Sequence, residues 1–125
     1  MINIIKIYHG QSVVYALFEC PQGYGKGVWL GEKPEIGLTT HVEIDIDESL
    51  VISKCPPTKK IYTIDFKDEI TSLSGNILAV QDEIIFFRFA DTIIQLERGS
   101  ETIGIGDWII ISTNAENMFI YPVSL

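Results

Sequence analysis

Apolar and polar residues alternate with a period of two along most of the chain. The pattern is clearest from Thr39 to Asp47. Val42, Ile44 and Ile46 fall on one face there, and His41, Glu43, Asp45 and Asp47 on the other. That is the spacing of a strand with one buried side. Ser12 to Cys20 is apolar on both faces, with Val13, Tyr15 and Leu17 against Val14, Ala16 and Phe18, which predicts a central strand. Further short strands are expected at Ile2 to Tyr8, Val28 to Leu30, Leu50 to Lys54, Lys60 to Phe66, Asn76 to Val80, Ile84 to Phe89, Thr92 to Glu97, Asp107 to Thr113 and Met118 to Val123.

Turn-forming residues punctuate these runs. Cys55-Pro56-Pro57-Thr58 is a firm stop, because proline cannot donate to a ladder. A break or bulge is expected at Glu48-Ser49, a tight hairpin at Ala90-Asp91, and a last hairpin across Asn114 to Asn117. Pro21-Gln22-Gly23-Tyr24-Gly25-Lys26-Gly27 reads as a flexible loop with Tyr24 at its tip as a candidate recognition aromatic. Lys67 to Leu73 could make one helical turn but is read as a loop, and Arg98 to Gly106 as another. Eight to ten short strands without crossover helices describe an all-β domain spanning residues 1–125. An antiparallel sandwich or a partly open barrel is expected. The alternative is an OB-like barrel whose long, bent first strand is Ser12 to Leu30.

Composition strengthens this reading. The chain holds 22 Ile, 7 Val and 8 Thr against 4 Ala. Branching at Cβ stiffens χ1, which disfavours helix and suits a pleated surface. No apolar run approaches the roughly 20 residues needed to span a bilayer. The N-terminus has no basic n-region and no small-residue cleavage site, so it is not read as a signal peptide and a cytoplasmic location is expected. In that setting Cys20 and Cys55 would be free thiols, although sequence alone does not decide whether they pair.

Charge narrows the partners. The net charge is −8. Residues 1–64 contribute −1 of this and residues 65–125 contribute −7. Nucleic-acid binding draws on the neutralisation of phosphates by basic residues, so it is not expected here. Acidic membranes are disfavoured for the same reason. A basic protein is the natural complement. The candidate docking residues form three acidic groups: Glu43, Asp45 and Asp47; Asp65, Asp68 and Glu69; and Asp82 and Glu83, with Asp91 beside them if the hairpin register allows. Solubility and the blunting of strand edges would also account for such charges.

Candidate chemistry is sparse. His41-x-Glu43-x-Asp45-x-Asp47 spaces four potential ligands about 7 Å apart along a straight strand, so all four cannot reach one ion. The set also lacks the second His or Cys that zinc favours and the curled loop that calcium favours. The glycine run is not a phosphate loop, since Gly-Lys is followed by Gly and a strand instead of Ser or Thr and a helix. His9 and His41 could be cast as an acid–base pair, but an anionic protein would repel a polyanionic substrate. No nucleophile signature surrounds either cysteine. No enzymatic activity, cofactor or metal is therefore expected.

A small, acidic β domain without a catalytic set resembles the immunity proteins of bacterial toxin–immunity systems, including those of contact-dependent growth inhibition. The resemblance rests on size, acidity and lack of catalytic chemistry across the whole chain. No motif is shared, so no family residue is transferred. It implies a cytoplasmic protein that binds a cognate toxin, often a basic nuclease, and blocks its active site with an acidic surface. Two other classes compete. An OB-like barrel binding oligonucleotide or oligosaccharide could use Tyr8, Tyr24, Trp29, Tyr62 and Trp108 as stacking aromatics, but it would need a basic groove. A structural subunit would pair through an exposed strand edge.

Overall fold

In a computed structural model, eleven strands join in one hydrogen-bonded sheet that curls on itself. All residues are described except Ser49, Pro57, Ser100, Glu101, Ser124 and Leu125, and 50–52 are described by their backbone alone. The strands are β1 (Ile2–His9), β2 (Val14–Cys20), β3 (Gly23–Trp29), β4 (Thr39–Ile46), β5 (Leu50–Lys54), β6 (Thr63–Lys67), β7 (Ile70–Gln81), β8 (Ile84–Phe89), β9 (Thr92–Glu97), β10 (Trp108–Asn114) and β11 (Met118–Val123). A single 3-10 turn, Ala115–Asn117, is the one helical element among the described residues, and no helix there is long and apolar enough to cross a membrane.

Five of these strands close a barrel. β1, β2 and β3 form a meander, β11 pairs parallel to β3 and antiparallel to β4, and β4 returns to β1. This circuit is compatible with an OB-like barrel, with β1 in first place. Ser12 to Leu30 is not one long bent strand. It is the β2–β3 hairpin, turning at Pro21 and Gln22. β4 meets β1 at only two residue pairs, Ile2 with Thr40 and Asn3 with Thr39. β4 is therefore unpaired with β1 beyond Thr40.

The remaining six strands are inserted between β4 and β11. β7 is the spine of this outer layer. Its first half lies between β6 and β10, its second half pairs with β8, and β9 and β5 are the outer strands. One contiguous core serves both layers, from Ile4, Phe18 and Ile120 of the barrel to Leu73, Phe87, Ile94 and Ile109 of the insertion.

Several boundaries depart from the sequence reading. The described residues form eleven strands where eight to ten are expected. Residues Lys67 to Leu73 are not a loop: a two-residue turn at Asp68-Glu69 joins β6 to β7, which starts at Ile70. Asp68 and Glu69 adopt φ of 53° and 63°. Such left-handed pairs are what the right-handed twist of a hairpin requires, but Asn-Gly usually supplies them. β11 has the expected limits and β10 lies one residue later than expected, but the two do not form a hairpin. The 3-10 turn carries the chain from the insertion to the barrel, so β10 pairs with β5 and β7 while β11 pairs with β3 and β4. Ser49 of the expected break, Pro57 of the proline stop, and Ser100 and Glu101 of the late loop lie outside the described residues.

The glycine run is strand rather than loop. A Cβ on Gly25 would lie 2.6 Å from Phe18 Cζ and 2.8 Å from Ile64 Cδ1, and one on Gly27 would lie 2.8 Å from the Met118 carbonyl oxygen. The glycines admit close neighbours to the barrel wall, which is the other common use of glycine in a strand. Gly104 meets nothing within 4 Å. Gly25→Ala should therefore lower stability by about 1–3 kcal/mol through overpacking. Gly104→Ala should stay within about 0.5 kcal/mol. Urea unfolding midpoints of the two variants check this contrast.

Asp107 organises the entry to β10. Its Oδ2 accepts the Gly104 N–H at 2.9 Å and lies 3.5 Å from Lys54 Nζ. The amide hydrogen bond, aided by Lys54, holds this carboxyl below the ordinary aspartate range. A lowered folded-state value means stability that is present above the unfolded value and lost as pH falls through the folded one. Asp107→Asn should flatten the acid limb of the stability profile, read from urea midpoints between pH 7 and pH 2.

Candidate functional site

β4 carries the most ordered group of carboxylates. Its alternation sends Ile44 and Ile46 into the core and leaves Glu43, Asp45 and Asp47 exposed, as the spacing predicts. β11 fixes their surroundings. Tyr121 sits opposite Glu43 and Phe119 opposite Asp45, and directly opposed residues share a face. Both aromatics are half-buried. Asp47 closes the ladder, its N–H donating to the Asn117 carbonyl at 2.9 Å. None of the three carboxylates enters an ion pair among the described residues.

Asp91 joins this group rather than Asp82 and Glu83. Asp82-Glu83 turns β7 into β8, while Ala90-Asp91 turns β8 into β9. The two turns lie at opposite ends of a six-residue strand, roughly 20 Å apart at the usual rise. The β8–β9 turn reaches the place where β4 and β1 part. A cleft of ≈ 230 Å³ opens there. Phe18, Ile44 and Phe89 contribute its apolar lining, and Glu43, Asp91, His41, Gln22 and Cys20 its polar lining. Ala90 holds a φ of 53°, an uncommon conformation for a residue with a Cβ.

The third acidic group divides. Asp65 and Asp68 are exposed on β6 and its turn, whereas Glu69 is tied to Lys26. Lys26 Nζ donates to Glu69 Oε2 at 2.8 Å, and the two side chains are 10% and 70% exposed. The same ammonium lies 4.2 Å from the ring centroid of Tyr8, 5.4 Å from that of Tyr15 and 5.7 Å from that of Phe66. The Lys26 N–H donates to Thr71 Oγ1 at 3.3 Å. Sequence reasoning missed this lysine. Its signal is the alternation Tyr24-Gly25-Lys26-Gly27-Val28, which puts every side chain of the run on one face.

This packing bears on the oligomer-binding alternative. An OB barrel offers the face of its second and third strands to the ligand. Here β6, β7 and the 3-10 turn pack on β3, and Lys26 and Val28 are buried. Tyr24 is 51% exposed. It stands on β3 opposite Glu19, not at a loop tip.

The histidines do not converge. β1 meets β4 near Ile2, beside His41, while His9 ends the same strand seven residues on. Cys20 and His41 line one cleft, and no hydrogen bond joins them among the described residues. Both cysteines are free thiols, and burial pushes the Cys55 thiol up from its ordinary value. No group of three or more His, Cys, Asp or Glu among the described residues could hold a metal ion. Comparison of the chain with protein-family models, with curated proteins and with solved structures finds no match.

The Lys26–Glu69 pair yields an asymmetric prediction. Glu69→Gln leaves a buried ammonium without its counter-charge and should cost about 1–3 kcal/mol. Lys26→Met frees a carboxylate that already faces water and keeps the volume, so it should cost less than about 1.5 kcal/mol. Thermal or urea unfolding of both variants measures the difference. Equal losses would show that the ion pair is not what holds the turn.

Proposed function

We propose that this chain is a protein-binding module without catalytic activity, and that it acts as an immunity protein which neutralises a basic toxin. The observation that carries the reading is the β4 face. Glu43, Asp45 and Asp47 stand in a row without an ion pair among the described residues, with Tyr121 and Phe119 beside two of them and Asp91 at the adjoining turn. Aromatic side chains among exposed carboxylates suit an interface centre, where aromatics supply buried area and charge supplies partner choice. The short aspartate side chains lose little rotamer freedom on binding. A toxin whose active site handles phosphates would present the complementary basic surface, and the β4 carboxylates would fill positions its substrate takes. This reading places the protein in the cytoplasm beside its toxin.

Charge reversal tests it. Glu43→Lys with Asp45→Lys should weaken binding to the basic partner captured from native lysate by at least about tenfold, with a slower association rate that falls as salt rises. Asp82→Lys with Glu83→Lys, at the far turn, should change it by less than about twofold. Growth protection against the captured partner, expressed as a toxin in the same cells, should be lost in the first variant and kept in the second. An acidic partner, or association indifferent to salt and to the β4 charges, would refute the electrostatic reading.

A further inference from the structure

We infer that the cleft between β4 and the β8–β9 turn receives an arginine side chain projected by the basic partner. The inference rests on the docking role of the β4 face and names the contact at its edge. The cleft is small, ≈ 230 Å³, below the roughly 300–1,000 Å³ of pockets for drug-sized ligands. It suits one side chain rather than a cofactor. Its lining is divided in the way an arginine is divided. Val42 and Ile2, over a floor of buried Phe18 and Phe89, give the cleft an apolar side for an aliphatic stem, and Glu43 and Asp91 line it from two separate elements, beside Met1 and His41.

Guanidinium is the better cation for such a place. It is weakly hydrated, stacks on aromatic faces and forks between carboxylate oxygens, whereas an ammonium is a compact, strongly hydrated charge. The carboxylates are uncommitted, because neither Glu43 nor Asp91 enters an ion pair among the described residues. The frame is rigid on the β4 side. Six consecutive pairs hold β4 to β11, from Met118 with Ile46 to Val123 with His41. On the other side Ala90, at a φ of 53°, turns the chain so that Asp91 and Thr92 line the cleft. A pre-set pocket with apolar depth and charge at its rim is the usual seat of an interface anchor, and arginine is enriched among such anchors.

The test isolates the cleft from the rest of the interface. The 15N-labelled protein is titrated with N-acetylarginine N-methylamide, and separately with the citrulline analogue, a neutral isostere. The arginine probe should shift the amide signals of Glu43, Asp91 and Thr92 in a saturable way. The citrulline probe should bind at least threefold more weakly. Glu43→Gln with Asp91→Asn should weaken the arginine probe at least threefold, while the signals of the distant β6–β7 turn stay where they are in the parent protein. Absence of saturable shifts at the cleft, equal binding of citrulline, or unchanged binding by the double variant would each overturn the assignment. Those failures concern the cleft alone. If the probe does not bind but β4 charge reversal still weakens the partner, the arginine seat falls and the docking face stands. If the probe binds as expected but the partner ignores β4, the seat stands as a cation site and the docking role falls.

Discussion

The double pairing of β11, parallel to β3 and antiparallel to β4, is the constraint on which the rest of the molecule depends. It closes the barrel with the last strand of the chain. The six strands between β4 and β11 leave and re-enter the barrel at one point, where Asp47 bonds to Asn117. The outer layer is therefore a long excursion from a single hairpin of the barrel. Its placement over β3 follows from where that excursion begins and ends. The closure also joins residues far apart in sequence, so loop-closure entropy must be met before the core can form.

That placement decides what the surface can do. Packing β6 and β7 on β3 buries Lys26, and a buried ammonium needs compensation. Three aromatic rings and Glu69 provide it, with Glu69 held at a positive φ that costs about 1–2 kcal/mol in a residue with a Cβ. At Lys26 and Val28 the face that an OB-like barrel would offer to an oligomer is thereby given over to internal packing, while Tyr24 stays exposed. The carboxylates of β4 lie on the opposite side of the circuit from this seam. They belong to the half of the chain whose net charge is only −1. Charge counted along the sequence pointed to residues 65–125, but part of that acidity is spent on Lys26 and part is scattered to distant turns.

How far the sequence could be read follows from this division between local and distant constraints. The β4 alternation, the β8–β9 hairpin and the central position of β2 were legible because each depends on residues within a few positions of one another. The glycine run was misread because glycine serves both turns and close approach. Only the positions of Phe18, Ile64 and Met118, up to about 90 residues away, reveal which applies. Asp68-Glu69 was not recognised as a hairpin turn because it lacks the Asn-Gly chemistry that marks one. The partners of β10 and β11 were beyond local reading altogether. Adjacent strands usually pair, and here a three-residue 3-10 turn moves the chain from one layer to the other. Of the candidate docking residues, the exposure of the carboxylates was legible from alternation and turn position. Their grouping was not, since the presence of Asp91 and Glu43 at one cleft depends on how the insertion returns across the barrel.

Of the surfaces left open, the sheet edges and the β4 face make different offers to a partner. β9 is paired on one side only, by β8, and exposes Ile93 at 57%. It nevertheless packs against β4, which limits the approach of another strand. An edge would recognise a partner mainly through backbone hydrogen bonds, which are indifferent to sequence and invite self-association. The β4 face differs in both respects. Its charge repels a second copy of this acidic chain, and its carboxylates stand on a strand already fixed by a full register with β11. For the proposed docking, ordering costs would then be small, and discrimination would come from the sign and spacing of charge. The docking role proposed above calls for that combination, because it asks for fast engagement of a basic partner without self-association.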